Sequence, residues 1–346
     1  MHLIPNRLQL LILFLGCTSA IAQKKLNIDV QNQPGQNTVS VSIDGKRFTE
    51  LVFPDSLPKP VLYPIYAPDE ELITRGFPIT TRPNEPVDHP HHIGLWLNYE
   101  NVNGIDFWNN SYLIPAEKKK SYGEIRLDSI VQTKSGRLGS ITYTANWVDY
   151  QKNILLKERT TYHFTAYDDR RIIDRITILT ARQDVSMSDI KDGFLGLRVS
   201  HELELPSSEV REFTDDKGNI TKVKPAEGVT GNYLTSEGKQ GDSAWGTRGK
   251  WCMLYGKKNN DSISIVMIDH PRNPGYPTYW HARGYGLFAA NPLGQKIFSN
   301  GKEVLNFNLK KGSSVTFRFR VVVASGKERM KNELIEADAM EFARIY

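Results

Sequence analysis

The sequence predicts an all-β fold, an antiparallel β-sandwich with a C-terminal helix. Three observations carry that prediction. Apolar and polar residues alternate with period two in run after run, turn residues separate the runs, and a helical period appears only near the end of the chain. No βαβ alternation is visible, so two antiparallel sheets packed face to face is the economical arrangement.

The first segment reads as an export signal. Arg7 supplies a positive start, and Leu8 to Leu15, broken only by Gln9, form a short apolar run. Ala20-Ile21-Ala22 offers a signal-peptidase site before Gln23. Residues 1–22 are therefore expected to be removed, leaving 23–346 as a single sandwich domain in a periplasmic or secreted protein. Acylation of Cys17 after Gly16 is the lipoprotein alternative, disfavoured by Phe14 and Leu15. The apolar run is shorter than the roughly 20 residues a spanning helix needs, and no later stretch replaces it.

Strands follow in order. Val39, Val41 and Ile43 alternate with Ser40 and Ser42 ahead of an Asp44-Gly45 hairpin turn. Ile141, Tyr143, Ala145 and Trp147 repeat the pattern, as do Ile263, Ile265 and Met267, and Val315, Phe317, Phe319, Val321 and Val323. Between Pro206 and Lys250 the chain turns polar, and about 206–250 is expected to be an excursion from the sandwich, of the kind that can serve as a lid. Trp251-Cys252-Met253-Leu254 reads as a buried strand. Cys252 is left without an intramolecular partner once Cys17 is gone, and reads as a small core hydrophobe. After Gly326, Met330, Leu334, Ala337 and Met340 recur at helical spacing up to Arg344.

Composition narrows the function classes. The 346 residues are 39% hydrophobic and 24% charged, with a net charge of +5. That excludes a disordered chain, a polytopic membrane protein and a strongly basic nucleic-acid binder, and leaves oligomeric state open.

The histidines are clustered. Asp88-His89-Pro90-His91-His92 holds three, and Asp269-His270-Pro271 through Trp280-His281 holds two, so Asp-His-Pro occurs twice. In extended chain His89 and His91 would share one side while His92 takes the other. Imidazole suits proton transfer near neutral pH and metal ligation. His89 and His91 have the H-x-H spacing of a metal site, but no acidic residue follows within a few positions. No cofactor is therefore expected, a divalent metal being the alternative. Asp106 and Asp192 are candidate carboxylate partners. Glu202 and Glu204, after His201, read as alternating along a strand. Trp96, Trp108, Asn109, Tyr276, Trp280, Arg75, Arg198 and Arg283 combine aromatic faces with polar groups, the usual lining of a sugar site. Phosphate-loop, dinucleotide and nucleophile-elbow motifs are absent.

Several segments resemble an exported bacterial family. They are Lys59-Pro60-Val61-Leu62-Tyr63-Pro64, Thr74-Arg75-Gly76-Phe77-Pro78, Asp88 through Trp96, Gly104-Ile105-Asp106-Phe107-Trp108, and Tyr279 through Pro292. That family carries the label PmoA. The methane monooxygenase subunit of that name is a membrane protein with several spanning helices, which this mature chain lacks. The resemblance brings no catalytic residues with it, but implies association with sugar-processing enzymes. The strand pattern also resembles the galactose-mutarotase-like supersandwich, where histidine and carboxylate do acid–base chemistry.

These readings combine into an expected exported carbohydrate-active enzyme, a hydrolase, lyase or epimerase acting on a sugar or glycan fragment. His91 and His281 are the first candidates for proton transfer, then His89, His92 and His270, with Asp106 or Asp192 assisting. Arg75, Trp108 and Trp280 would hold substrate. A glycan-binding module without catalysis and a His-cluster metal-dependent oxygenase or hydrolase are the alternatives.

Overall fold

The computed structural model of the chain describes residues 24–223 and 228–346. The leader, with Arg7, Cys17 and the cleavage site, lies outside the described residues. Two eight-stranded antiparallel sheets dominate. In the first, the strands run in the order Ile28–Gln33, Thr38–Ile43, Lys46–Val52, Val61–Ile65, Leu95–Tyr99, Gly193–Arg198, Leu287–Asn291 and Tyr279–Ala282. In the second, Asn232–Thr235, Trp251–Lys258 and Asp261–Asp269 lead to Ser314–Gly326. Arg170–Ala181, Ile154–Ala166, Gly139–Val148 and Glu124–Lys134 complete it.

The period-two residues are what join the sheets. Val39, Val41 and Ile43 from the first and Ile141, Tyr143, Ala145, Trp147, Ile263, Ile265 and Met267 from the second meet in one core. Phe317, Phe319, Val321, Val323 and Cys252 complete that layer, and burial pushes the Cys252 thiol well above its usual range. Each fully buried large apolar side chain contributes about 1.5–3 kcal/mol.

The C-terminal helix, Asn332–Ile345, covers the far face of the second sheet. Its phase differs from the expected one. Ile335, Asp338 and Phe342 are buried, while Ala337 is exposed and Met340 is 67% exposed. Asp338 enters that face because Arg170 lies 3.8 Å away and Arg320 donates to its carbonyl.

The polar stretch 206–250 contains structure of its own. A hairpin pairs Arg211–Thr214 with Ile220–Val223, and Asn232–Thr235 forms an edge strand of the second sheet. A 3₁₀ turn, Gly241–Ala244, follows. Another 3₁₀ turn, His201–Leu203, stands where alternation suggested a strand, so His201 and Glu204 meet three residues apart.

Candidate functional site

The far face of the first sheet is where chemistry collects. Leu95, Leu97 and Tyr99 point into the inter-sheet core, so Trp96 and Asn98 point the other way. Register across four strands aligns Trp96, Gly196, Ala289 and His281 in one row. Small residues are needed at the centre of that row. A Cβ on Gly196 would lie 2.5 Å from Trp96 Cζ2 and 2.9 Å from Trp108 Cη2. Asn98 accepts from Trp96 Nε1 (3.0 Å) and donates to the Phe107 carbonyl (2.5 Å), tying the Trp108 loop onto the face.

Residues 89–92 form a turn over this face, not an extended segment. His89 has φ of 44°, and the His92 amide donates to the His89 carbonyl at 3.0 Å. The turn brings all three imidazoles together. His89 and His92 stack at 4.9 Å, and His91 stands edge-on to His92 at 4.2 Å. Tyr285 stacks on His89 at 4.8 Å, and Trp96 lies against His92 at 5.4 Å.

Arg75 holds the turn from beneath. It is buried and donates to the carbonyls of Pro86, Asp88, His89 and His92 and to Asp88 Oδ1 at 2.7 Å. With its donors turned to the loop, it acts as a clamp and does not face a ligand. Asp88 also receives Arg198 at 2.7 Å and Arg211 at 2.9 Å. Burial favours its neutral acid, but Arg198 and the other guanidinium groups outweigh that and hold Asp88 well below the usual carboxylate range. Glu204 shares Arg198 and Arg211 and accepts from His201 Nδ1 at 2.9 Å.

His89 Nδ1 lies 3.3 Å from Asp88 Oδ2, without hydrogen-bond geometry. Its side chain is 38% exposed, the accessible imidazole of the cluster. Burial, reinforced by Lys59, pushes His91 down to about 2, and burial with its cationic neighbours holds His92 well below its usual value. Both are neutral at physiological pH. Lys59 is itself buried beside the Trp96 ring, donates to the His91 carbonyl at 2.7 Å, and is pushed down to about 7 by burial.

A second group lies at the other end of the same strands. Asp106 Oδ1 accepts from the amides of Trp108 and Asn109, and Oδ2 from the Asn109 side chain. Asp192 pairs with Lys191 at 2.6 Å and lies 3.6 Å from His281 Nδ1. That nitrogen donates to the Lys191 carbonyl at 3.1 Å, and burial pushes His281 down to about 4. Glu100, beside Asp192, is pushed up to about 7 by burial and by the charges of Asp192 and Asp106.

Other expected residues are elsewhere. Trp280 alternates against His281 and lies in the inter-sheet core, facing away from the site. His270 packs edge-on against Phe342 of the C-terminal helix, 5.1 Å away on the other sheet. Tyr276, influenced by Asp269, Lys250 and Glu336, belongs to that same side. Trp96 and Trp108 are completely buried, a floor beneath His92 in place of an open aromatic wall. Arg283 does join the cluster, over Tyr285 and Trp245. Beside them opens a cavity of about 350 Å³, lined by Arg211, Asp242, Trp245, Arg283 and Tyr285 among others.

Asp88, Glu204, Arg211, Glu100, Lys59 and Trp245 are the site residues that sequence reasoning missed. Asp88 was readable as the neighbour of His89; the rest depend on partners far away in the chain. Among the described residues, no group of three His, Cys, Asp or Glu side chains is arranged to hold a metal ion.

Residues 38–339 match the model of a family of unknown function, DUF6807. No curated protein matches the chain. Among solved structures, it is similar to the GH36 alpha-galactosidase AgaB from Geobacillus stearothermophilus, at 12% identity and a TM-score of 0.37. That alignment covers 87% of this chain and 41% of the galactosidase, so the chain spans about two fifths of that enzyme. A protein from Escherichia coli K12, provisionally described as an aldose 1-epimerase, aligns at 9% identity and a TM-score of 0.35, over 86% of this chain and 98% of its own. The heparan sulfate lyase HepC from Pedobacter heparinus aligns at 10% identity and 0.29, over 84% and 34%.

Proposed function

The chain belongs to DUF6807, whose description carries no activity, and from its own residues we propose an exported enzyme that moves protons on a sugar or glycan fragment. One observation carries the reading. Two sets of titratable groups share the far face of the first sheet, and their surroundings push them in opposite directions. At one end Asp88 is held ionised behind the accessible His89; at the other, burial and neighbouring carboxylates keep Glu100 protonated up to about pH 7.

In this reading His89 takes a proton at its outward nitrogen. Asp88, 3.3 Å behind Nδ1, offsets the charge the ring gains, and Tyr285, stacked at 4.8 Å, sets the plane of the ring. Glu100 supplies a proton, assisted by Asp192 and His281. His91, His92, Arg75 and Lys59 hold the turn, and a ligand enters through the cavity beside Tyr285. Hydrolysis, elimination and epimerisation all use such a pair. Export rests on Leu8–Leu15 and Ala20-Ile21-Ala22.

Incubation of the mature protein with a panel of glycan fragments, read by mass spectrometry and reducing-end assay, tests this. Turnover is expected, reduced about 10²- to 10⁴-fold in His89→Gln and Glu100→Gln, with melting temperatures near that of the parent. Binding without product would leave a glycan-binding module, and turnover untouched by both variants would remove the assigned roles.

A further inference from the structure

Arg198 and Arg283 lie against Tyr285 and Arg211 lines the same cavity, and the three are not alike. Arg198 and Arg211 are committed to Asp88 and Glu204. Arg283 has no side-chain hydrogen bond and no carboxylate within ion-pair distance among the described residues. Its guanidinium carbon sits 5.6 Å from the Trp245 ring centre and 5.7 Å from that of Tyr285. Two aromatic rings thus take up its neighbourhood through π contacts and leave its N–H donors unspent.

The backbone fixes where those donors start. The Arg283 amide donates to the Leu287 carbonyl (2.8 Å), and the Gly286 amide returns to the Arg283 carbonyl (3.0 Å). Gly286 has φ of 87°, and a Cβ there would come within 3.0 Å of Glu204 Cγ, so the turn is tight and specifically glycine. Asp242 and Glu209 also line the cavity but do not reach the guanidinium. At about 350 Å³ the space falls in the range of small-ligand sites.

We propose that Arg283 is a specificity-determining residue which binds the carboxylate of an acidic sugar, making uronate-bearing glycans the substrate class. A guanidinium fork matches a carboxylate in two parallel N–H···O bonds, a fit that neutral hydroxyls do not offer. Trp245, which lines the cavity and is 37% exposed, supplies the apolar face for the ring. This inference rests on the sugar reading of the same site, but not on its catalytic assignments.

The test is calorimetric titration of the mature protein with glucuronate, galacturonate, glucose and glucose 6-sulfate, repeated on Arg283→Gln and Arg283→Lys. A uronate is expected to bind more tightly than glucose, and to weaken about 10- to 100-fold in Arg283→Gln with the melting temperature retained. Arg283→Lys keeps the charge but not the fork, and is expected to recover only part of that loss. Equal binding of glucose and both uronates, or uronate binding unchanged in Arg283→Gln, overturns the proposal. Glucose 6-sulfate binding as tightly as a uronate, with the same loss, replaces the carboxylate by anions in general. If uronate binds through Arg283 while His89→Gln and Glu100→Gln leave turnover intact, the substrate class stands and the catalytic reading falls. If no sugar binds, both fall.

Discussion

Asp88-His89-Pro90 and Asp269-His270-Pro271 are the same three residues in two settings. Each opens a turn in which the histidine carbonyl accepts from an amide three residues on, His92 at 3.0 Å in the first and Asn273 at 2.9 Å in the second. There the likeness ends. Asp88 meets three guanidinium groups and stays ionised. Asp269 meets neutral donors, the amides of His270 and Thr278 and the Asn273 side chain, and burial pushes it up to about 7. His89 is accessible beside the cavity wall, whereas His270 accepts from the Arg272 amide through Nδ1 and is sealed under the helix. A tripeptide thus sets the local turn, while partners distant in sequence set its charge. The second copy anchors a strand end; the first leaves an imidazole accessible beside an ionised carboxylate.

The comparison can be broken at its anchors. Replacing Arg75 by Met leaves Asp88 its pairs with Arg198 and Arg211 but takes the donor from four loop carbonyls, and is expected to cost about 3 kcal/mol in urea denaturation. A loss below about 1 kcal/mol would mean that the first turn does not depend on its clamp. Asp269→Asn puts an amide NH₂ against N–H donors, and should cost about 1–3 kcal/mol at pH 5 while leaving any glycan turnover unchanged.

A finer distinction lies in pH. The folded state keeps Asp269 protonated up to about 7, whereas the unfolded chain releases that proton near its ordinary 3.8. The unfolded state therefore binds fewer protons between about pH 4 and 7, and Asp269 makes stability fall as pH rises through that window. Asp88 does the reverse: its contribution is present above the ordinary carboxylate value and is lost as pH falls below about 4. Unfolding free energies from urea titrations between pH 4 and 8 should decline less steeply in Asp269→Asn than in the parent, by at most about 1.4 kcal/mol per pH unit. Equal slopes would place another acid in control.

Strands that alternate were legible because one face is buried, as Val39, Val41 and Ile43 show. Trp280 was legible too, since alternation alone sets it against His281 on opposite faces, and an indole on the inward face belongs to the core whatever its chemistry. The helix phase failed for a different reason: Asp338 occupies an inward position that binary patterning assigns to an apolar residue. Asp88, His89 and Tyr285 stood within noticed motifs. Arg198, Glu204 and Arg211 become a site only when the turn, a strand end and the polar excursion converge, and nothing local in the sequence encodes that meeting.

The join at the centre of the first sheet also orders events in time. Leu95–Tyr99 pairs with Gly193–Arg198, and the chain between them builds four strands of the opposite sheet. Asp88 reaches Arg198 across 110 positions and Arg211 across 123. Closing such spans costs chain entropy before any contact repays it, whereas a hairpin such as that of Gly139–Val148 and Ile154–Ala166 closes over a short turn. The cluster around Asp88 is therefore expected to be among the last parts of a newly made chain to assemble, after the local hairpins of the opposite sheet.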